Sequence, residues 1–264
     1  MYNQMNKCVV VTTDSEYLPY FNVFYKSFFK HVNGIELFVL AINIEDKNEF
    51  SKLYDKAKIF YVDRELDDSL NLDETTKIGG KKVSDKVTFC SKVMFLMFDK
   101  FFDMGYDVLY LDVDAIINRD ISFIFDFFND HDLILIPTGN HWSGGFLGFK
   151  NSDISKKILA LIKIQLLALQ RLWQWKSQPI VKYCVTQFID QVKIKELDSA
   201  LYFDWRQYTD DCYIWCGKGA RKGYAQYKMW KTEEEIEKAI GYTKSDIYIN
   251  RMVEYGYDKK HSEL

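Results

Sequence analysis

Apolar and polar positions along the chain switch repeatedly between two periods. Short continuous apolar runs at 8–12, 35–42, 58–62 and 107–111 are bounded by turn-forming residues and read as strands buried on both faces. Longer segments with helical spacing separate them: a helix capped near Thr13-Asp14-Ser15 and running to about Lys30, then 47–56 and 85–104. The alternation predicts βαβ units and a mixed, mostly parallel sheet flanked by helices. Further on, 121–128 is amphipathic, and 132–137 and 146–149 read as strands. Helices are expected at 154–175 and 181–192, and short strands near 193–197, 201–205 and 212–216. The tail reads as two helical pieces, 232–240 and 243–255. Between 63 and 84 the pattern dissolves into charged residues around Gly79-Gly80. This stretch reads either as a surface loop over a site or as an insertion without a role.

Chemistry gathers where strands end. The run Asp107-Val108-Leu109-Tyr110-Leu111 passes directly into Asp112-Val113-Asp114. In an extended segment residues two apart point the same way, so both carboxylates would face one space at the carboxyl end of a central strand. That edge is where open α/β sheets bind ligands. Two like charges there call for a cation between them; the alternative is a solvated acidic turn. Thr12, Asp14 and Tyr17, at the first strand-to-helix junction, suit a nucleotide base or ribose, or simply cap the helix. Lys92, on an otherwise apolar helix, either reaches a phosphate or snorkels to solvent. Ser143-Gly144-Gly145 follows Trp142. It either brings backbone close to a ligand, with the indole stacked on a sugar, or makes a plain hairpin turn.

Composition narrows the class. The chain has 264 residues, 48% hydrophobic and 28% charged, as expected of a soluble globular protein. Its 17% aromatic content provides platforms for flat rings and sugar faces as well as core. A net charge of -3 gives no electrostatic case for nucleic acid. Cys8, Cys90, Cys184, Cys212 and Cys216 form no CxxC pair. They read as buried free thiols in a reducing, cytoplasmic setting, and Cys212 with Cys216 makes at most half a zinc site. No signal peptide or membrane span is expected. The 154–175 helix is interrupted by Lys and Gln, with a membrane-surface or homo-oligomer contact as its minority reading.

Taken in order, these elements resemble the GT-A glycosyltransferases, nearest to glycosyltransferase family 8, which includes glycogenin and bacterial galactosyltransferases. The ordered set is Thr-Thr-Asp-x-x-Tyr after the first strand, a Lys-bearing helix, Tyr-Leu-Asp-Val-Asp, Ser-Gly-Gly, and a late Gly-Lys-Gly-Ala-Arg-Lys. It covers most of 7–223. The resemblance implies a GT-A (Rossmann-like) α/β fold, with one catalytic domain at 1–223 and a helical extension at 224–264. It also implies a metal-dependent transferase that moves a hexosyl or pentosyl group, with retention, from a nucleotide sugar. UDP is the expected carrier, and a glycan or other hydroxyl the acceptor.

The same resemblance implies roles for individual residues. Thr12, Asp14 and Tyr17 would hold the nucleotide, and Lys92 the donor sugar or diphosphate. Asp112 and Asp114 would bind Mn²⁺ or Mg²⁺, with Val113 between them in the motif and Asp112 also reaching the ribose or sugar. Ser143, Gly144 and Gly145 would form a small-residue turn beside the donor sugar, and Lys218, Arg221 and Lys222 would grip the diphosphate. The reacting face of the sugar falls to Gln187, Asp190 or Gln191, because identity favours Asp190-Gln191 whereas spacing favours Thr186-Gln187. One departure matters: the family's usual third metal ligand, a His three residues before the Gly of the last loop, is Ile214 here. Two alternatives stand beside the transferase. One is an inactive GT-A module that binds nucleotide or carbohydrate. The other is a haloacid dehalogenase-type phosphatase with Asp112 as nucleophile and Asp114 as acid, although Ile116 stands where that family wants Thr or Val.

Overall fold

A computed structural model describes residues 6–63, 76–78, 81–83, 85–168, 177–217 and 245–258. The chain divides into two compact units. One comprises Met1–Ser15, Gly34–Leu111 and Phe123–Glu196; the other comprises Glu16–Asn33, Asp112–Ser122 and Leu197–Leu264.

The first unit is built on a seven-stranded sheet. Strand β1 (Asn6–Asp14) lies between β2 (Glu36–Ile42) and β6 (Tyr106–Leu111) and is parallel to both. Parallel to β2 on the far side is β3 (Lys58–Val62). Beyond β6, the antiparallel β9 (His141–Phe149) joins it to β8 (Leu133–Thr138), and β10 (Ile194–Glu196) lies parallel to β8 at the edge. This is the mixed, mostly parallel sheet that the alternating periods predict. The continuous apolar runs have a direct cause: Val9, Val10, Val11, Leu109 and Leu111 are all buried, because helices cover the sheet. Phe38 anchors one aromatic cluster, with its ring centroid 5.1 Å from those of Phe101 and Tyr106.

Two details fix this sheet. A Cβ at Gly148 on β9 would lie 2.8 Å from Ile134 Cβ, so only glycine lets the antiparallel strand pass. Asp107, an acid inside a buried strand, accepts the Asn151 backbone N–H at 2.7 Å, while the Asn151 amide donates to the Phe102 carbonyl at 2.7 Å. Burial pushes the Asp107 carboxyl above its usual range.

Helix α2 (Lys47–Leu53) starts at an Asp46 cap, whose carboxylate accepts the Glu49 N–H at 2.8 Å. Helix α3 (Asp85–Asp103) packs on β1 and β6, and α4 (Asp153–Ala168) packs on α5 (Ser177–Thr186). A hairpin of β4 (Thr76–Ile78) and β5 (Lys81–Val83) occupies part of the stretch expected as loop.

The second unit has a two-stranded antiparallel ribbon, β7 (Ala115–Ile117) with β11 (Ile214–Cys216), together with α1 (Leu18–His31), α6 (Ser199–Tyr202) and α7 (Ser245–Glu254). Its core is aromatic: Tyr20, Tyr208, Trp215, Tyr248, Tyr255 and Tyr257 pack with Val23, Ile116 and Met252.

Several boundaries differ from expectation. The strand expected at 146–149 begins at His141, so Ser143-Gly144-Gly145 lies inside a strand rather than in a turn. The chain reverses at Gly139-Asn140, where Gly139 has φ +60°. Helix α5 ends at Thr186, and Gln187, Asp190 and Gln191 lie on an exposed turn. The segment 201–205 is no strand; α6 and a single bridge between Asp204 and Trp215 stand there. Gly79-Gly80, residues 169–176 and the 232–240 helix lie outside the described residues, as do Lys218, Arg221 and Lys222.

Candidate functional site

In the first unit, the parallel strands β1 and β6 end on the same edge of the sheet. Thr12, Thr13 and Asp14 close β1 and are all buried. Among the described residues the Thr12 hydroxyl has no hydrogen-bond partner, an orphaned polar group at a strand's carboxyl end. Lys92 stands on α3 with only 3% of its surface exposed. Burial lowers its pKa, and among the described residues no carboxylate or hydrogen-bond acceptor pairs with it. The expected alternative, a lysine reaching out to solvent, is therefore not what the structure has.

On β9, Ser143 is fully buried and its hydroxyl accepts the Gly145 N–H at 3.3 Å. The neighbouring Trp142 is half-buried, and its indole N–H donates to Glu196 Oε1 at 2.7 Å. Gln187 donates from its side-chain amide to the Tyr183 carbonyl at 3.5 Å.

The second unit holds the acidic motif. Asp112-Val113-Asp114 does not continue the strand. The Ala115 N–H donates to the Asp112 carbonyl at 3.0 Å and bends the chain into a turn, from which β7 starts. The turn still brings the carboxylates together, and it adds a third donor: Asp112, Asp114 and Cys216 each offer an atom within 4.8 Å of the others. Asp114 is 5% exposed, Cys216 is fully buried, and Val113 is buried between the acids. The Cys216 thiol lies 3.7 Å from Asp114 Oδ1.

Local backbone bonds hold this arrangement. Ala115 pairs with Cys216 across the ribbon, and the Gly217 N–H donates to the Asp114 carbonyl at 3.1 Å. The Cys216 N–H donates to the Asp204 carbonyl at 2.8 Å, and the Tyr208 hydroxyl donates to the Cys216 carbonyl at 3.0 Å. Asp204 itself is bound at its carboxylate by the N–H groups of Arg206, Gln207 and Tyr208. From α7, the Tyr248 hydroxyl donates to the Asp114 carbonyl. Burial, with the Asp114 charge second, raises the Tyr248 pKa well above its ordinary range. Gly217 has no room for a side chain: a Cβ there would lie 2.3 Å from the Tyr248 oxygen.

The donor set fits a divalent cation. The two carboxylates repel one another unless a cation lies between them, and the thiol beside them is a further group that can bind metal. Tyr17 is half-buried in this unit, with its ring 5.6 Å from that of Tyr20.

Sequence reasoning missed Cys216 and Tyr248. The signal for Cys216 was its position two residues beyond Ile214 on one short strand, which puts both on the same face. For Tyr248 no local signal exists, since its partner is 134 residues away. Cys8, Cys184 and Cys212 are buried free thiols as expected. Burial pushes Cys184 and Cys212 up to about 12, which leaves them inert packing groups.

No family model and no curated protein sequence matches the chain. Solved structures do. The galactosyltransferase LgtC, in complex with donor and acceptor sugar analogues, superposes with a TM-score of 0.59 at 12% identity over 94% of this chain and 95% of its own. The glycosyltransferase GlyE of Streptococcus pneumoniae gives 0.53 at 14% identity, over 95% of this chain and 64% of its own. Mouse xyloside xylosyltransferase 1 gives 0.51 at 12% identity, over 81% of this chain and 98% of its own. None of the three supports the phosphatase alternative. What the chain shares with them, at these identities, is the GT-A glycosyltransferase fold.

Proposed function

We propose that the protein is a metal-dependent glycosyltransferase of the family 8 kind, moving a hexosyl or pentosyl group from a nucleotide sugar to a glycan or other hydroxyl acceptor. UDP is the proposed carrier. The observation that carries the reading is the convergence of Asp112, Asp114 and a third donor on the turn that leaves a central strand of a GT-A fold. A fold mate solved with donor and acceptor sugar analogues supports such partners here.

Breaking a sugar–phosphate bond leaves a nucleoside diphosphate whose growing negative charge must be met. A cation held by Asp112 and Asp114, Mn²⁺ or Mg²⁺ by the resemblance, supplies Lewis acidity toward that diphosphate. Lys92 adds a desolvated positive charge, which is worth more there than at the surface. The orphaned Thr12 hydroxyl offers a hydrogen bond to the nucleoside, with Asp14 and Tyr17 beside it in sequence. Ser143, Gly144 and Gly145 are assigned to the donor sugar from β9, and Lys218, Arg221 and Lys222 to the diphosphate. Gln187, Asp190 and Gln191 are assigned to the reacting face, and retention of anomeric configuration rests on the same resemblance. The free cysteines support a cytoplasmic location.

Calorimetry with UDP and Mn²⁺ tests the reading. Binding should depend on the metal and weaken strongly in Asp114→Asn. Binding indifferent to both, or turnover of p-nitrophenyl phosphate, would overturn it. Slow metal-dependent hydrolysis across a panel of UDP-sugars would identify the donor, and its absence with every donor would favour an inactive binding module.

A further inference from the structure

We propose that Cys216 is the third protein ligand of the cation, so that the site is a two-carboxylate, one-thiolate centre that favours Co²⁺ or Zn²⁺ over Mg²⁺. The inference rests on the cation-binding reading of Asp112 and Asp114 above.

Three observations support it. The donor atoms of Asp112, Asp114 and Cys216 already lie within 4.8 Å of one another, close enough for one ion to contact all three after small side-chain adjustments. Cys216 is fixed from both sides. Its N–H is bound to the Asp204 carbonyl at 2.8 Å and its carbonyl to the Tyr208 hydroxyl at 3.0 Å, so the ribbon sets the Cα–Cβ direction, and the thiol lies 3.7 Å from Asp114 Oδ1. Finally, Cys216 is two residues along β11 from Ile214, the position where the resembling family carries its histidine, and alternate residues of a strand share a face. Ile214 is buried and offers no donor, and Cys216 supplies one from the same side of the strand.

The chemistry follows from the sulfur. Binding releases the thiol proton to solvent and leaves a thiolate on the metal. Against the oxygen ligands that Mg²⁺ requires, one thiolate shifts preference toward borderline and softer ions. Cys212, four residues away and also buried, has its thiol at 3.2 Å from the Ile214 carbonyl and is no part of the set.

Co²⁺ titrated into the full chain tests this, because a thiolate ligand adds an intense near-ultraviolet charge-transfer band that carboxylates do not give. The band should grow to one equivalent in the wild type and in Cys212→Ser. It should vanish in Cys216→Ser while the weaker visible bands of bound Co²⁺ remain. Should Cys216→Ser fail to fold, Cys216→His serves the same purpose by keeping a ligand and losing the sulfur. Competition should show Zn²⁺ displacing Co²⁺ and Mg²⁺ failing to do so at a hundredfold excess. Co²⁺ bound without the band, or a band that survives loss of Cys216, overturns the assignment and leaves the cation reading standing. No Co²⁺ binding at all overturns the cation reading itself.

Discussion

The thiol of Cys216 and Oδ1 of Asp114 stand 3.7 Å apart, although 102 residues separate them along the chain. Backbone bonds across the β7–β11 ribbon impose this closeness. Substitutions in the ribbon's supports should therefore disturb the pair without touching it.

Gly217→Ala is the sharpest such change. The added methyl would overlap the Tyr248 ring and hydroxyl. A loss of about 1–3 kcal/mol in unfolding free energy is expected from overpacking. Weaker cation binding should accompany it, read by denaturant melts alongside metal titration. Tyr248→Phe instead removes one donor from the Asp114 carbonyl, which keeps its bond from the Gly217 N–H. The expected cost is about 1 kcal/mol.

Thr12→Val should separate binding from stability. The hydroxyl it removes is buried with no partner among the described residues, so the isosteric valine should hold or raise the melting temperature. UDP affinity should fall, by about fivefold to tenfold, if that hydroxyl bonds the nucleoside. Unchanged affinity would remove Thr12 from the site.

Lys92→Met makes the same separation through charge. Its ammonium is buried with no acceptor among the described residues, so the neutral side chain should stabilise the protein. Affinity for UDP should drop roughly tenfold to a hundredfold with the loss of a charged hydrogen bond. The sign with pH follows. A lysine whose folded-state pKa lies below 10.5 binds fewer protons folded than unfolded in the window between those values. Wild-type stability should therefore rise relative to Lys92→Met as pH climbs through that window. Parallel melts across alkaline pH check it.

Gly148→Ala probes the sheet alone. Its Cβ would meet Ile134 at 2.8 Å, so β9 must shift, at about 1–3 kcal/mol. Its midpoint in urea should fall without a change in metal affinity.

Much of this was readable from the chain, for physical reasons that particular residues show. Val9–Val11 and Val108–Leu111 announce central parallel strands because helices bury both their faces. Asp112 and Asp114 were legible as a pair, but not as a turn: the Ala115 bond to the Asp112 carbonyl serves a different sheet, and that pairing is set far along the chain. Ser143-Gly144-Gly145 reads by composition as a turn or a close approach to a ligand, yet it lies inside β9. Cys216 was legible as a buried thiol on the strand of Ile214, but its place beside Asp114 depends on register with Ala115, which no local pattern encodes.

The bond from Tyr248 to Asp114 has a consequence for the order of events during translation. The acidic turn leaves the ribosome more than a hundred residues before the strand and helix that brace it. A nascent chain therefore carries Asp112 and Asp114 without a frame and gains its frame only when α7 has emerged. A cation held by Asp112 and Asp114 would meet a finished frame only after α7 has been made, and a chain cut before α7 would keep the acidic signature while lacking the grip.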